Sequence, residues 1–308
     1  MHAPAAGPRR LQPGRARARP DNPGVHNLTN ADLHSHSRYS DGTLTPSALA
    51  ERAHRNGVAL WALTDHDELA GLGEAAAAAR GLGLGFLAGV EVSVSFAGET
   101  VHIVGLGVDP DHPPLRDGLA RTRGGRLERA RAMAEGLAQV GLHGALAGAL
   151  AYVSNPDLVS RTHFARWLVD TGVCPDTHSV FRRYLTQGKP GYVPHQWAKL
   201  GDAVRWIRGA GGIAVIAHPA RYNFSVNAEY ALFSEFKEHG GAGVEVLTSS
   251  HGTADQLKYA DMAREFGLLA SRGSDFHDPD ESRLDLGELP DLPGRLDPVW
   301  LALIDRVQ

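Results

Sequence analysis

Short apolar blocks alternate along this chain with longer stretches of helical period, and most of the blocks run into a polar cluster. Val58 to Leu63 is such a block, of the kind expected for a parallel strand covered on both faces, and it ends in Thr64-Asp65-His66-Asp67. Leu84 to Val90 is closed by Glu91, Ile213 to Ala217 by His218-Pro219, and Leu268 to Ser271 runs into Gly273-Ser274-Asp275-Phe276-His277. Val244 to Leu247 reads as a further strand. Between these blocks the pattern predicts helices. Thr45-Pro46 is an N-cap followed by proline at the first helical position, with Leu49, Ala53 and His54 at helical spacing until Gly57. Leu72 to Arg80, Ala203 to Arg208, Asn227 to Glu238 and Thr253 to Phe266 read likewise. Val92, Val94 and Phe96 alternate with serines, Ala97-Gly98-Glu99 turns the chain, and Val101 and Ile103 return as a partner strand that carries His102. Repeating βα units with polar residues at the ends of several strands predict an α/β barrel with its site on that face.

From about residue 111 to 196 the strands lapse, and helical periodicity broken by glycine and proline predicts an inserted helical subdomain. The barrel is then residues 31–110 and 197–308. A spacing of three puts Arg123, Arg126 and Arg129 on one helix face, where a solvated charge run is the ordinary reading. Residues 1–30 carry Arg9, Arg10, Arg15, Arg17 and Arg19 among proline, alanine and glycine, without the apolar core of a secretory signal; they read as a disordered basic tail. A composition of 43% hydrophobic and 21% charged residues describes an ordinary globular protein. The net charge of -4 argues against broad coating of nucleic acid, so any phosphate recognition should be local. The lone Cys174 cannot form an intramolecular disulfide, and no apolar run reaches the roughly 18 residues of a membrane span. A cytoplasmic enzyme is expected, with no membrane association and no obligate protein partner.

The chemistry centres on Asp32-Leu33-His34-Ser35-His36. In a strand, alternate side chains share a face, so Asp32, His34 and His36 point one way. Polar groups there forgo roughly 1.5 to 3 kcal/mol of burial per apolar side chain, and a divalent metal ion is the obvious compensation. Six of the sixteen histidines, His34, His36, His66, His102, His218 and His277, lie in or at the ends of predicted strands, in company with Asp41, Asp65, Glu91 and Asp275. Mixed imidazole and carboxylate donors suit zinc, manganese or iron, and so many exceed the four one tetrahedral ion needs, which predicts two or three ions. Asp32, Asp65 and Asp67 either bind metal or orient the imidazoles. His195 and His251 sit in no acidic motif and are expected to be solvated or to stand behind the ligands.

His34-x-His36, Thr64-Asp65-His66, Gly89-Val90-Glu91, His102, Ala217-His218-Pro219 and Asp275-x-His277 resemble, in order and over nearly the whole chain after the tail, the motifs of the polymerase and histidinol phosphatase (PHP) superfamily. Arg161-x-His163-Phe164-Ala165-Arg166, Gly188-Lys189-x-Gly191-Tyr192-Val193 and Ala217-His218-Pro219-x-Arg221-Tyr222 look like the branch containing 3',5'-nucleoside bisphosphate phosphatases and the exoribonuclease RNase AM. The resemblance implies a distorted seven-stranded (β/α) PHP barrel with the helical insertion as a substrate lid. It implies a trinuclear metal site held by His34, His36, Asp41, His66, Glu91, His102, His218, Asp275 and His277, with Asp41, His66 and Glu91 as the catalytic group. Manganese is the first expectation, with zinc, iron or magnesium as alternatives.

The implied activity is metal-dependent phosphatase action on 3',5'-nucleoside bisphosphates, releasing phosphate to leave a nucleoside monophosphate. Short 5'-phosphorylated RNA is the related 5'-3' exonuclease substrate. Two phosphates need cations besides the metals, and Arg126, Arg129, Arg161 and His163, with Lys189 and Arg221, are the candidates, Asp41 also facing substrate. The alternatives are a histidinol-phosphate-type or other small-molecule phosphatase, and a noncatalytic metal-stabilised module that binds nucleic acid.

Overall fold

The computed structural model describes residues 30–293 and 295–308. The tail expected over residues 1–30 lies, apart from Asn30, outside the described residues. β1 (Ala31–Asp32) pairs in parallel with β2 (Leu60–Leu63), and β2 with β3 (Gly85–Phe96). The crossovers are α1 (Pro46–Arg55), whose first turn is capped by Thr45 accepting from Ala48 N, and α2 (Leu72–Leu82), ended by the left-handed Gly83. β4 (Glu99–Leu106) returns antiparallel from β3 through Ala97 and Gly98, both at positive φ as a two-residue hairpin turn requires.

α3 (Pro113–Arg123), α4 (Arg126–Ala138), α5 (Ala145–Leu150), α6 (Arg161–Asp170) and α7 (Thr177–Val180) follow, the last running into a π-helical turn at Phe181–Leu185. β5 (Ala198–Lys199) pairs with β3. Then α8 (Leu200–Gly209), β6 (Ile213–Ile216), α9 (Val226–Glu238), β7 (Gly243–Leu247), α10 (Thr253–Phe266) and β8 (Leu269–Arg272) resume the alternation.

The strand path is β1-β2-β3-β4-β6-β7-β8, with β4 antiparallel to both neighbours. Beyond the ends of β1 and β8 the chain closes the ring: Leu33 N donates to Arg272 O at 3.0 Å, Asp275 N to His34 O at 2.9 Å and His36 N to Phe276 O at 2.8 Å. The result is a nearly closed seven-stranded barrel, distorted by its one reversed strand. α1 and α2 bury Leu49, Ala53, Leu72 and Ala79 against Trp61 and Phe86, while α8, α9 and α10 cover the other strands. Each such leucine or phenylalanine side chain contributes on the order of 1.5 to 3 kcal/mol.

Three local readings change. Glu91 does not close a strand: β3 runs through it to Phe96, because pairing with β4 continues on the other side. Arg123, Arg126 and Arg129 do not share a helix, since Gly124 and the left-handed Gly125 break it between the first two. α3 buries Leu115 and Leu119 in the barrel core, whereas α4, α5, α6 and the π-helical turn share a separate core around Met133, Leu137, Phe164 and Leu185. The separately cored unit thus begins at α4.

Candidate metal centre

Parallel strands deliver their C-terminal ends to one rim, and the reversed β4 delivers its first half there. His34 and His36 follow β1, His66 follows β2, Glu91 lies within β3, His102 within β4, His218 follows β6, and Asp275 and His277 follow β8. Two of these turns use strained backbone: His218 and Asp275 have φ of 28° and 56°. Gly273 lets the β8 end lie against His34, where a Cβ would stand 2.3 Å from that of His34.

All nine residues named above as ligands converge, in three overlapping groups: His36, Asp41, His66 and His277; His34, Glu91, His218 and Asp275; and His66, Glu91 and His102. Glu91 is the hub. Its Oε1 lies 2.9 Å from both His102 Nδ1 and His218 Nε2, and its Oε2 lies 2.9 Å from His66 Nδ1 and 3.3 Å from the Nε2 atoms of His34 and His36. Asp275 Oδ1 approaches His36 Nε2 at 3.2 Å, and Asp41 Oδ1 approaches His277 Nε2 at 3.3 Å.

Electrostatics reflect this crowding. Burial would push Glu91, Asp41 and Asp275 up, but the surrounding imidazoles more than offset it and hold all three well below the usual carboxylate range. Burial would push His34 down, yet Glu245, Glu91 and Asp275 hold it well above the usual value. His36 is raised to about 10 in the same way by Asp275 and Glu91. His218, buried and beside Arg221, falls to about 3.

Asp41 Oδ1, His66 Nδ1, Glu91 Oε2 and His102 Nδ1 are buried with no hydrogen-bond partner among the described residues. His66 Nδ1 and Glu91 Oε2 are near neighbours without the alignment of a hydrogen bond. Each such atom left unpaired costs about 1 to 3 kcal/mol, and a divalent cation shared between them would remove that cost. The donor set fits divalent metal.

The groups behind this set are now distinguishable. Asp32 accepts from Ser274 N and Gly287 N, Asp65 from Ser37 N and the hydroxyls of Ser37 and Ser40, and Asp67 from Ser93 N and Arg126. None belongs to the three donor groups. Burial raises Asp65 to about 6 despite its donors. His251 is buried, not solvated: its ring lies 2.9 Å from Val246 O and 3.3 Å from Ala220 N, tying down the loop after His218. His195 packs edge-on against Trp197.

Sequence reasoning missed Glu245. Buried within β7, it lies 2.7 Å from His34 Nδ1 and accepts from His218 N at 2.6 Å. The signal was there, because Val244-Glu245-Val246 repeats the apolar-acid-apolar pattern of Val90-Glu91-Val92. Also missed were Thr162 and Arg166, which hold Asp41 through its carboxylate and its carbonyl.

A cleft beside the centre is lined by Asp41, His66, His102 and His277 together with Arg126, Arg129, Arg161 and Arg221. Arg126 is tied to Asp67 and lies over Trp197. Arg221 bonds Asp275. Arg129 and Arg161 form no ion pair among the described residues; they donate to the carbonyls of Val193 and Leu185 and lie over the rings of Trp197 and Phe181. Burial, then repulsion from Arg161 and Arg126, lowers Arg129 to about 10. Two of the expected substrate residues fall elsewhere. His163 is buried in the first turn of α6, where its Nδ1 accepts from Ser160 N as part of a capping box. Lys189 is exposed, on a loop outside the cleft.

The chain matches the PHP domain over residues 32–151. It is 54% identical to the 3',5'-nucleoside bisphosphate phosphatase of Chromobacterium violaceum over 280 residues, 91% of this chain and 98% of that protein. It is 41% identical to the 5'-3' exoribonuclease Rnm of Escherichia coli, over 87% of this chain and 92% of that one. A solved structure described as an amidohydrolase from Chromobacterium violaceum, with bound sulfate and no metal, superimposes with a TM-score of 0.88 at 54% identity, covering 91% of this chain and 97% of that chain.

Proposed function

The chain belongs to the PHP domain family of metal-dependent phosphoesterases, and on that premise we propose that it hydrolyses the 3'-phosphate of 3',5'-nucleoside bisphosphates, with short 5'-phosphorylated RNA as a related substrate. The carrying observation is the pair Arg129 and Arg161, two half-buried guanidinium groups without an ion-pair partner among the described residues, sharing one cleft with Asp41, His66, His102 and His277 of the nine clustered metal donors. Two or three divalent ions, manganese first, would be held by His34, His36, Asp41, His66, Glu91, His102, His218, Asp275 and His277. When bound, such ions supply Lewis acidity, making a water more acidic and neutralising phosphoryl oxygens.

The chain's own residues do the rest. Arg129 and Arg161 attract the phosphate that is not cleaved, and their mutual repulsion falls once a dianion lies between them. Arg221, held by Asp275, faces the phosphate that is cleaved. Glu245, Asp65 and Asp67 keep the donor loops from relaxing when substrate is absent. The proposal places the enzyme in the cytoplasm, where the buried thiol of Cys174 stays reduced.

The test is Arg161→Ala on two substrates. A charge-assisted bond to phosphate contributes on the order of 1.5 to 3 kcal/mol, so kcat/KM for adenosine 3',5'-bisphosphate should fall roughly ten- to a hundredfold while an aryl monophosphate is spared. Equal losses on both, at equal metal content, would refute the two-phosphate reading.

A further inference from the structure

Three hollows meet at the metal centre. The arginine-rich cleft is the first, a second opens beside Asp275 and His277, and a third runs past His102 and His218. Phe181, on the π-helical turn, and Arg221 line all three. On the bisphosphatase reading, a bisphosphorylated mononucleotide with one phosphate among the arginines and the other at the centre would use the first hollow and leave the second unused.

The second hollow has its own chemistry. Its walls carry the hydroxyls of Thr177, Ser249 and Ser250 and the guanidinium of Arg283. Ser250 Oγ is buried with no hydrogen-bond partner among the described residues. Neutral hydroxyls, with Arg283 as a cation that the other two hollows lack, suit a ribose and its phosphate, since the 2'-hydroxyl both donates and accepts. Both carboxylates at this rim are already engaged, Glu281 by Arg166 at 3.0 Å and Asp275 by Arg221 at 2.6 Å. The third hollow carries Glu99 and, as cations, only Arg161 and Arg221, both shared with the first hollow, so it offers a following phosphate no arginine of its own.

We propose that the second hollow receives the nucleotide that follows the scissile phosphate when the substrate is RNA. This rests on the bisphosphatase reading and extends it. In both reactions water adds to phosphorus, the P–O3' bond breaks, and the 3' oxygen leaves with a proton. With a bisphosphate the product is inorganic phosphate. With RNA the phosphate stays on O5' of the next nucleotide, which must lie somewhere beyond the centre. One centre then serves both reactions, and the second hollow separates them.

Ser249→Tyr, which fills the hollow, and Arg283→Ala, at an exposed position, test this in the full metal-loaded chain. With adenosine 3',5'-bisphosphate, kcat/KM should stay within about twofold of wild type; with a 5'-phosphorylated tetraadenylate it should fall at least tenfold. Anisotropy of labelled tetraadenylate in excess chelator, where nothing turns over, should show weakened binding of the same variants. Parallel losses on both substrates, no loss on RNA, or a wild type that takes the bisphosphate but not the tetranucleotide would overturn the inference. A wild type that takes neither would overturn the bisphosphatase reading itself, and this inference with it.

Discussion

Glu245 holds two parts of the metal centre at once, orienting the His34 ring through Nδ1 and pinning the backbone of His218. With its Nδ1 proton directed at Glu245, a neutral His34 would present its Nε2 lone pair to a metal ion shared with Glu91 and Asp275. Glu245→Gln keeps the shape but places an amide NH₂ against one of two donors. Metal affinity should fall ten- to a hundredfold by competition with a chromogenic chelator, with the far-ultraviolet circular dichroism unchanged. Unaltered affinity would show that packing alone orients His34. The same logic separates Arg126 from Arg161: the first is already neutralised by Asp67, so it shapes the cleft wall, and the second is left for a ligand.

α6 is the element that joins the inserted helices to the centre. Ser160 and Thr162, at its start, bond the Asp41 carboxylate, and Arg166, one turn on, bonds the Asp41 carbonyl at 2.6 Å and Glu281 at 3.0 Å. Its capping box uses His163 where glutamate or glutamine is usual, and burial lowers that imidazole to about 4. The unfolded chain, with histidine near 6.5, binds the proton more tightly. The stability conferred by neutral His163 is therefore complete above about pH 6.5, declines as pH falls, and reaches its floor near pH 4, a loss of about 3 kcal/mol. Glutamine can make the same cap without titrating. Urea midpoints for His163→Gln should lack this part of the acid sensitivity, and an identical pH profile in both proteins would remove His163 as its source.

At the scale of the whole molecule, the barrel core and the metal centre are separate sources of stability. Leu60, Ala62, Leu87, Val104 and Val215 are fully buried with no part in the donor set, so chelation should leave secondary structure intact. Metal would bind the folded arrangement only, because the candidate donors come from six strands and the loops that follow them. One ion at a hundred times its dissociation constant then adds about 2.7 kcal/mol, and the melting temperature should rise by several degrees with added manganese. A melting temperature indifferent to metal would mean that the nine donors do not bind it. Among the described residues no helix is long and apolar enough to cross a membrane.

The strands, the helices between them and eight of the nine donors at or near strand ends were legible in the sequence, because burial on both faces leaves continuous apolar blocks and polar residues then stand out at their ends. The His34-x-His36 pairing was legible for the same reason, since alternation is local. Glu91 was read at a strand end because the apolar block stops there, yet the ladder with β4 carries the strand on. What only the tertiary structure decided was which polar group faces which. Asp32 has the same spacing from His34 as His36 does, but turns to Ser274 and Gly287. Glu245 is 211 residues from the ring it orients. His163 and Lys189 looked like phosphate ligands by their neighbours in sequence, and one became a helix cap while the other stayed in solvent. Local pattern depends on neighbours a few residues away, whereas a hydrogen-bond partner is set by where closure of the barrel brings distant strands together.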